Sequence, residues 1–199
     1  MAKEESDELL DPTKMDGPSV KWAPNDIFRG NPKAFLTYHV MGSGYNYFTP
    51  LGVTVGGITA MTPLKKSLFP RLTALQAAGT VGFGAGLCGM LMGYGAMYRI
   101  SIAKEPKLPF DEDGIQTRVD GLSHNYMVRV MDVGVVGGLA SAGGLMMALG
   151  GPTSVGLSAG ALGVAQGLSL GSAAGSIASI GYIAATKDKS SGGGKDAIY

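Results

Sequence analysis

Cysteine is nearly missing from this chain: Cys88 is the only one. A single thiol closes no internal disulfide and builds no cysteine-rich metal site. Set in an apolar stretch, it reads as a small packing residue. Histidine is as scarce. His39 and His124 each stand alone, with no Cys or second His at ligand spacing. No Ser/His/Asp arrangement can be argued either. Excess charge is also absent. Sixteen basic and 15 acidic residues leave a net charge of +1, without the basic surplus that nucleic acid demands. The opening run Met1–Glu8 is acidic, unlike a secretory signal or an Arg-rich transit peptide, so any organelle address is expected to be internal. Gly82-Phe83-Gly84-Ala85-Gly86 superficially suggests a phosphate loop. No strand signal precedes it and no Lys-Ser/Thr follows, so it carries no nucleotide reading.

The decisive absence is local. Residues 34–64, 72–98 and 133–186 contain no Asp, Glu, Lys or Arg. A soluble helix shows a charged face every turn or two, and these stretches have none. A hydrocarbon core of roughly 30 Å takes about 20 apolar residues as helix. The longest stretch therefore holds two passes, divided by the turn signal Gly150-Gly151-Pro152-Thr153-Ser154. The pattern predicts an all-α membrane protein. Its four transmembrane helices form two antiparallel hairpins, with spans near 45–63, 72–98, 128–149 and 155–185 and a polar loop at 99–127. Residues 1–44 form a polar arm and 187–199 a flexible tail.

Within the arm, Asn31-Pro32 is a helix-start signal. The short helix that follows reads equally well as lying at the membrane interface or as an ordinary surface helix. Tyr45, Tyr47 and Phe48 open the first span as an aromatic belt, and Tyr94, Tyr98 and Arg99 close the second. Pro106, Pro109 and Asp111-Glu112-Asp113-Gly114 argue against regular structure in the first half of the long loop. Lys65, Lys66 and Arg71 crowd the short loop opposite, a candidate site for lipid headgroups such as cardiolipin's. Orientation stays open from charge alone: the tail side has more basic residues, the short loop a higher density.

Glycine is the abundant residue, 33 of 199, and it is patterned. Gly52, Gly56 and Ala60 recur every fourth position. So do Ala78, Gly82 and Gly86; Ala85, Gly89 and Gly93; and Gly134, Gly138 and Ala142. The longest series is Ala159, Gly163, Gly167, Gly171, Gly175 and Ser179. Small residues let helix backbones approach closely in a bilayer. These stripes are predicted to pack the four helices, and their surplus to pack other proteins. Gln166 beside the longest stripe is expected to hydrogen-bond a neighbouring helix rather than a substrate. Arg129 and Asp132, three apart, are expected to form a structural ion pair at the interface.

Four spans, glycine stripes, an acidic start and one long central loop resemble the mitochondrial inner-membrane translocase (Tim-type) family over about residues 45–186. The chain is most similar to the fungal form of the respiratory complex I accessory subunit with that fold, and Trp22-Ala23-Pro24 resembles an accessory-subunit arm. Arg129 and Asp132 stand where the translocase signature places Arg and Asp, with two residues between them instead of three. The resemblance implies a mitochondrial inner-membrane protein, with termini in the intermembrane space and the short basic loop in the matrix. It implies no enzyme activity and no redox centre or other cofactor, apart from bound phospholipid. It further implies a bracing role among complex I membrane-arm subunits, with a neighbouring respiratory complex as a further candidate partner. The competing expectations are a subunit of a protein-import translocase and, behind it, a small-molecule transporter, both of which call for polar groups at membrane depth.

Overall fold

The computed structural model describes residues 23–28, 30–102, 112–123 and 125–190. Trp22, His124, residues 103–111 and the tail from 191 fall outside them. Among the described residues every regular element is helical. A 3-10 turn at Pro24–Phe28 leads into α1 (Pro32–Ala60), the one-turn α2 (Lys65–Leu68), α3 (Ala74–Ile102), α4 (Glu112–Ser123) and α5 (Tyr126–Ala148). A second 3-10 turn at Pro152–Val155 precedes α6 (Gly160–Ser190).

The boundaries follow from local chemistry. Asn31 caps α1 by accepting the Ala34 N–H at 3.1 Å, with Pro32 at the first position. Thr73 and Gln76 form a reciprocal capping box at the start of α3, at 3.2 and 3.0 Å. Asn125 caps α5 through the Val128 N–H at 3.2 Å. The expected short helix after Asn31 is not separate. It continues without a break past residue 44 and through Pro50 to Ala60. Gly42 and Gly44 do not interrupt it, because Gly44 is pressed onto Gly89 of α3 and that contact replaces what helix propensity lacks. The expected polar loop contains α4, whose apolar face is buried through Ile115 and Val119. The turn after α5 is longer than the sequence implied. Gly150, Gly151, Gly156 and Gly160 all take positive φ, and they delay the start of α6 to residue 160. Ala159 therefore lies before the helix and is exposed. At the other end α6 runs on through 187–190, the first residues assigned to the flexible tail.

Among the described residues three helices are long and apolar enough to cross a membrane: Ala74–Arg99, Tyr126–Ala148 and Gly160–Thr186, of 26, 23 and 27 residues. Even the shortest extends about 34 Å at 1.5 Å per residue. The expected first span lies in α1, which has the length, 29 residues, but not the apolarity. Tyr45, Asn46, Tyr47, Thr49, Pro50 and Thr54 dilute it.

The helices are inside-out relative to a water-soluble bundle. Leu51, Val55, Ile58, Leu91, Leu145, Ile177 and Ile180 point outward. Thr49, Gln166, Ser169, Ser172, Ser176 and Ser179 are buried. In water this distribution would expose the apolar surface that normally drives folding. The large apolar cluster sits at one end instead. Phe35 and Leu36 of α1, Met97 of α3, and Ile115 and Val119 of α4 pack there, with Phe28, Val40 and Leu122 around them.

Candidate functional site

Two glycine seams hold the long helices together. Along the first, α1 runs antiparallel to α3: Gly44 meets Gly89, Gly52 meets Ala85 and Gly82, and Gly56 meets Ala77 and Ala78. A Cβ on Gly52 would stand 2.5 Å from that of Ala85, and one on Gly56 would stand 2.8 Å from the Ala77 carbonyl oxygen. A Cβ on Gly93 would meet the Val40 carbonyl oxygen at 2.6 Å. Gly82 is pressed by Val53, and Gly86 by Thr49 and Tyr45. No real side chain tolerates such separations, so these helices meet backbone to backbone.

The second seam joins α5 to α6. Gly134 faces Gly175 and Ser179, while Gly138 faces Gly171, whose own Cβ would lie 2.5 Å from Ala142. Further toward the turn the stripe drifts, as a four-residue spacing must on a 3.6-residue helix. Gly167 lies under Met146, with a Cβ–Sδ separation of 2.5 Å, and Gly163 lies against Ser158 and Pro152. Sequence reasoning passed over Gly44 and Gly79, which are equally confined. A Cβ on Gly79 would stand 2.9 Å from that of Gln166. Gly44 sits beside the aromatic belt, on the four-residue register of Gly52 and Gly56 but cut off from them by Phe48, and Gly79 falls one position out of the nearest series. For Gly79 the signal lay in its partner helix.

The adjacent face of α6 is a polar stripe. Gln166 is fully buried. Its Oε1 accepts the Ser158 N–H at 2.9 Å, and its Nε2 donates to Thr80 Oγ1 at 2.9 Å and to Ser158 Oγ at 3.1 Å. Ser169 donates to the Gly79 carbonyl at 2.7 Å and Ser179 to the Val130 carbonyl at 3.1 Å. Gln76 ties α3 to the turn through the Gly156 carbonyl at 3.3 Å. Buried in an apolar medium, such groups must find partners or pay for desolvation. The hydroxyls of Ser172 and Ser176 are buried without a hydrogen-bond partner among the described residues.

Arg129 is 9% exposed and grips Asp26. Both guanidinium arms donate, NH1 to Oδ1 and NH2 to Oδ2, each at 3.1 Å. NH1 also donates to the Ser123 carbonyl at 3.0 Å. Asp26 in turn accepts the Ala23 N–H at 2.9 Å. The fork therefore closes on a residue 103 positions away, in the arm before α1, and not on Asp132 three residues along the helix. Asp132 lies next to this pair, within its electrostatic reach.

Helices α1 and α5 scarcely touch, and α6 runs behind both. Between them lies a groove in two connected parts. The outer part, about 220 Å³, is lined by residues including His39, Ser43, Asn46, Tyr47, Met131 and Asp132. The inner part, about 80 Å³, shares His39, Asn46 and Asp132 and is lined further by Pro24 of the 3-10 turn, Tyr38, Val135, Val136 and Leu139. His39 and Ser43 are hydrogen-bonded at 3.3 Å. Among the described residues no three His, Cys, Asp or Glu converge as metal ligands. Cys88, read from the sequence as a small packing residue, is exposed on α3. Lys66 and Arg71 are exposed and Lys65 half-buried at the short loop, flanked by the exposed Leu64 and Leu68. The chain matches no family model, and no curated protein is similar to it.

Proposed function

We propose that this chain is a non-catalytic accessory subunit of mitochondrial NADH:ubiquinone oxidoreductase, complex I, and that it stabilises the membrane arm by close helix packing. In this reading α1 also crosses the inner membrane, giving four spans in two hairpins with both termini in the intermembrane space. One observation carries the packing role: the twelve glycines picked out as packing positions each have a neighbour where a Cβ would stand. Among the described residues α6 is the one long helix that packs extensively on α5, and in this reading lipid and other subunits meet the rest of its surface. The family and organelle rest on the sequence resemblance. Crossing by α1 is supported by its backbone contact with α3, which is otherwise apolar and membrane-long. Lys65, Lys66 and Arg71 are placed to meet anionic headgroups, cardiolipin included.

The test is copurification from mitochondrial membranes in mild detergent, with native gels stained for NADH dehydrogenase activity. Complex I membrane-arm subunits are expected to come with the chain, and Gly167→Leu or Gly171→Leu to lower the amount of assembled complex without changing turnover per complex. Recovery of import machinery instead would favour the second reading, a translocase subunit. That reading draws on the polar groove between α1 and α5.

A further inference from the structure

The glycine seams pair α1 with α3 and α5 with α6, and they leave α1 and α5 to be joined by something else. These two helices scarcely touch each other, yet the Pro24–Phe28 turn touches both. On its α1 side, the Phe28 ring lies tilted against that of Tyr38, with centroids 5.1 Å apart, and the Phe28 carbonyl accepts the Asn31 N–H at 2.8 Å. On its α5 side stands the Asp26–Arg129 fork. Ala23 and Pro24 are buried between, and Pro24 lines the inner part of the groove with Val135, Val136 and Leu139. The turn is braced as one piece. Asp26 donates its N–H to the Ala23 carbonyl at 2.9 Å and accepts the Ala23 N–H on its carboxylate at 2.9 Å, and the Pro24 ring fixes the backbone between them.

This cross-piece differs in kind from the seams. A seam lays backbone on backbone over several turns, so it parts only when two helices separate. The cross-piece is short, and it is held on α5 by a polar contact whose side chains, 11% and 13% exposed, remain within reach of water. A segment with few buried apolar contacts opens locally at a lower cost than the whole fold. We propose that the Pro24–Phe28 turn is a latch carried by α1, with Arg129 as its catch. Closed, it ties the two hairpins together across the groove and covers the inner part with Pro24. Released from Arg129, it stays with α1 through Phe28 and Tyr38. The gap between α1 and α5 then widens, and the inner groove opens while both glycine seams stay shut. This inference rests neither on the assignment to complex I nor on residence in a membrane.

The experiment uses the full chain in mild detergent, with Cys88→Ser and with Val136→Cys as the sole thiol, treated with a water-soluble maleimide. Asp26→Asn is expected to speed labelling at 136 about fivefold, as local opening does, and Asp26→Glu to restore the slow rate. A thiol from Met147→Cys instead, at a site 84% exposed near the other end of α5, should react at one rate in both backgrounds. Spin labels at the exposed Leu51 of α1 and Val133 of α5 should gain a longer-distance population in Asp26→Asn. Labels at Val55 and Leu87, exposed on the two helices of the first seam, should keep their distance. Phe28→Ala, which loosens the latch from α1 and leaves the fork in place, should also speed labelling at 136. It decides the matter if circular dichroism shows that Asp26→Asn loses helix. Equal labelling at 136 with and without the Asp26 charge overturns the proposal. So does faster labelling at 147, or a longer Val55–Leu87 distance, since either reports a general loosening instead of a latch.

Discussion

Arg129, early in α5, holds Asp26 of the amino-terminal arm in a two-pronged clasp at 3.1 Å, across 103 positions of sequence. This clasp and the burial of Ala23 fasten the segment before α1 onto the helical bundle. Both side chains are largely shielded, at 11% and 13% exposure. Removing one partner therefore leaves a desolvated charge, which is far costlier than losing a surface pair.

Asp26→Asn is accordingly expected to destabilise the solubilised protein by about 3 kcal/mol, within the range for broken buried pairs. Denaturant titration followed by circular dichroism measures the loss. Limited proteolysis should show faster cleavage near residues 23–28. A smaller effect from Asp26→Asn than from Asp132→Asn would contradict the assignment of the clasp.

Glycines that face a backbone and glycines that face outward should respond oppositely to one added methyl. At Gly171 the methyl would meet Gly138 and Ala142, whereas nothing lies within 4 Å of one at Gly137. Gly171→Ala is expected to cost about 1–3 kcal/mol as overpacking. Gly137→Ala should stay within about 0.5 kcal/mol, as surface substitutions do. Thermal denaturation in detergent checks the pair, and equal costs would remove the basis for the seams.

Gln166 is expected to serve as an internal tie between α6, Thr80 of α3 and the Ser158 backbone. Gln166→Leu keeps most of the volume and removes every hydrogen bond, at an expected cost of roughly 1–2 kcal/mol. Amide hydrogen exchange should accelerate at Ser158. If exchange there stays unchanged, the Gln166 carbonyl is not what protects that N–H.

The turn between α5 and α6 depends on backbone conformations closed to other residues. Gly151 has φ 120° and ψ 178°, a region essentially reserved for glycine. Gly151→Ala is expected to cost about 1–3 kcal/mol, although space for a methyl is open there. The readout is thermal stability. An unchanged midpoint would mean that the turn takes another conformation.

How much of this was legible beforehand depends on the range of the interaction. Gly52, Gly56, Gly134, Gly138, Gly171 and Gly175 announced themselves because a periodic stripe is written along one helix. Charge-free lengths announced the membrane-long helices in the same way, since a bilayer's thickness is a count of residues. Arg129 was legible as a paired residue, but its partner was not, because helical spacing brings Asp132 to mind and only the folded arm brings Asp26. The continuity of α1 through Gly44 was hidden for a similar reason. What sustains helix there is Gly89 on another element.

The chain's own order of residues determined that its long segments are helical, uncharged and lined with glycine, because helix period, hydropathy and side-chain size act over a few neighbouring positions. The tertiary structure decided which stripe meets which, that a serine and glutamine face lies inside, and that α1 and α5 stand apart around a polar groove. Those outcomes depend on contacts between residues tens of positions apart, whose spacing no local periodicity encodes.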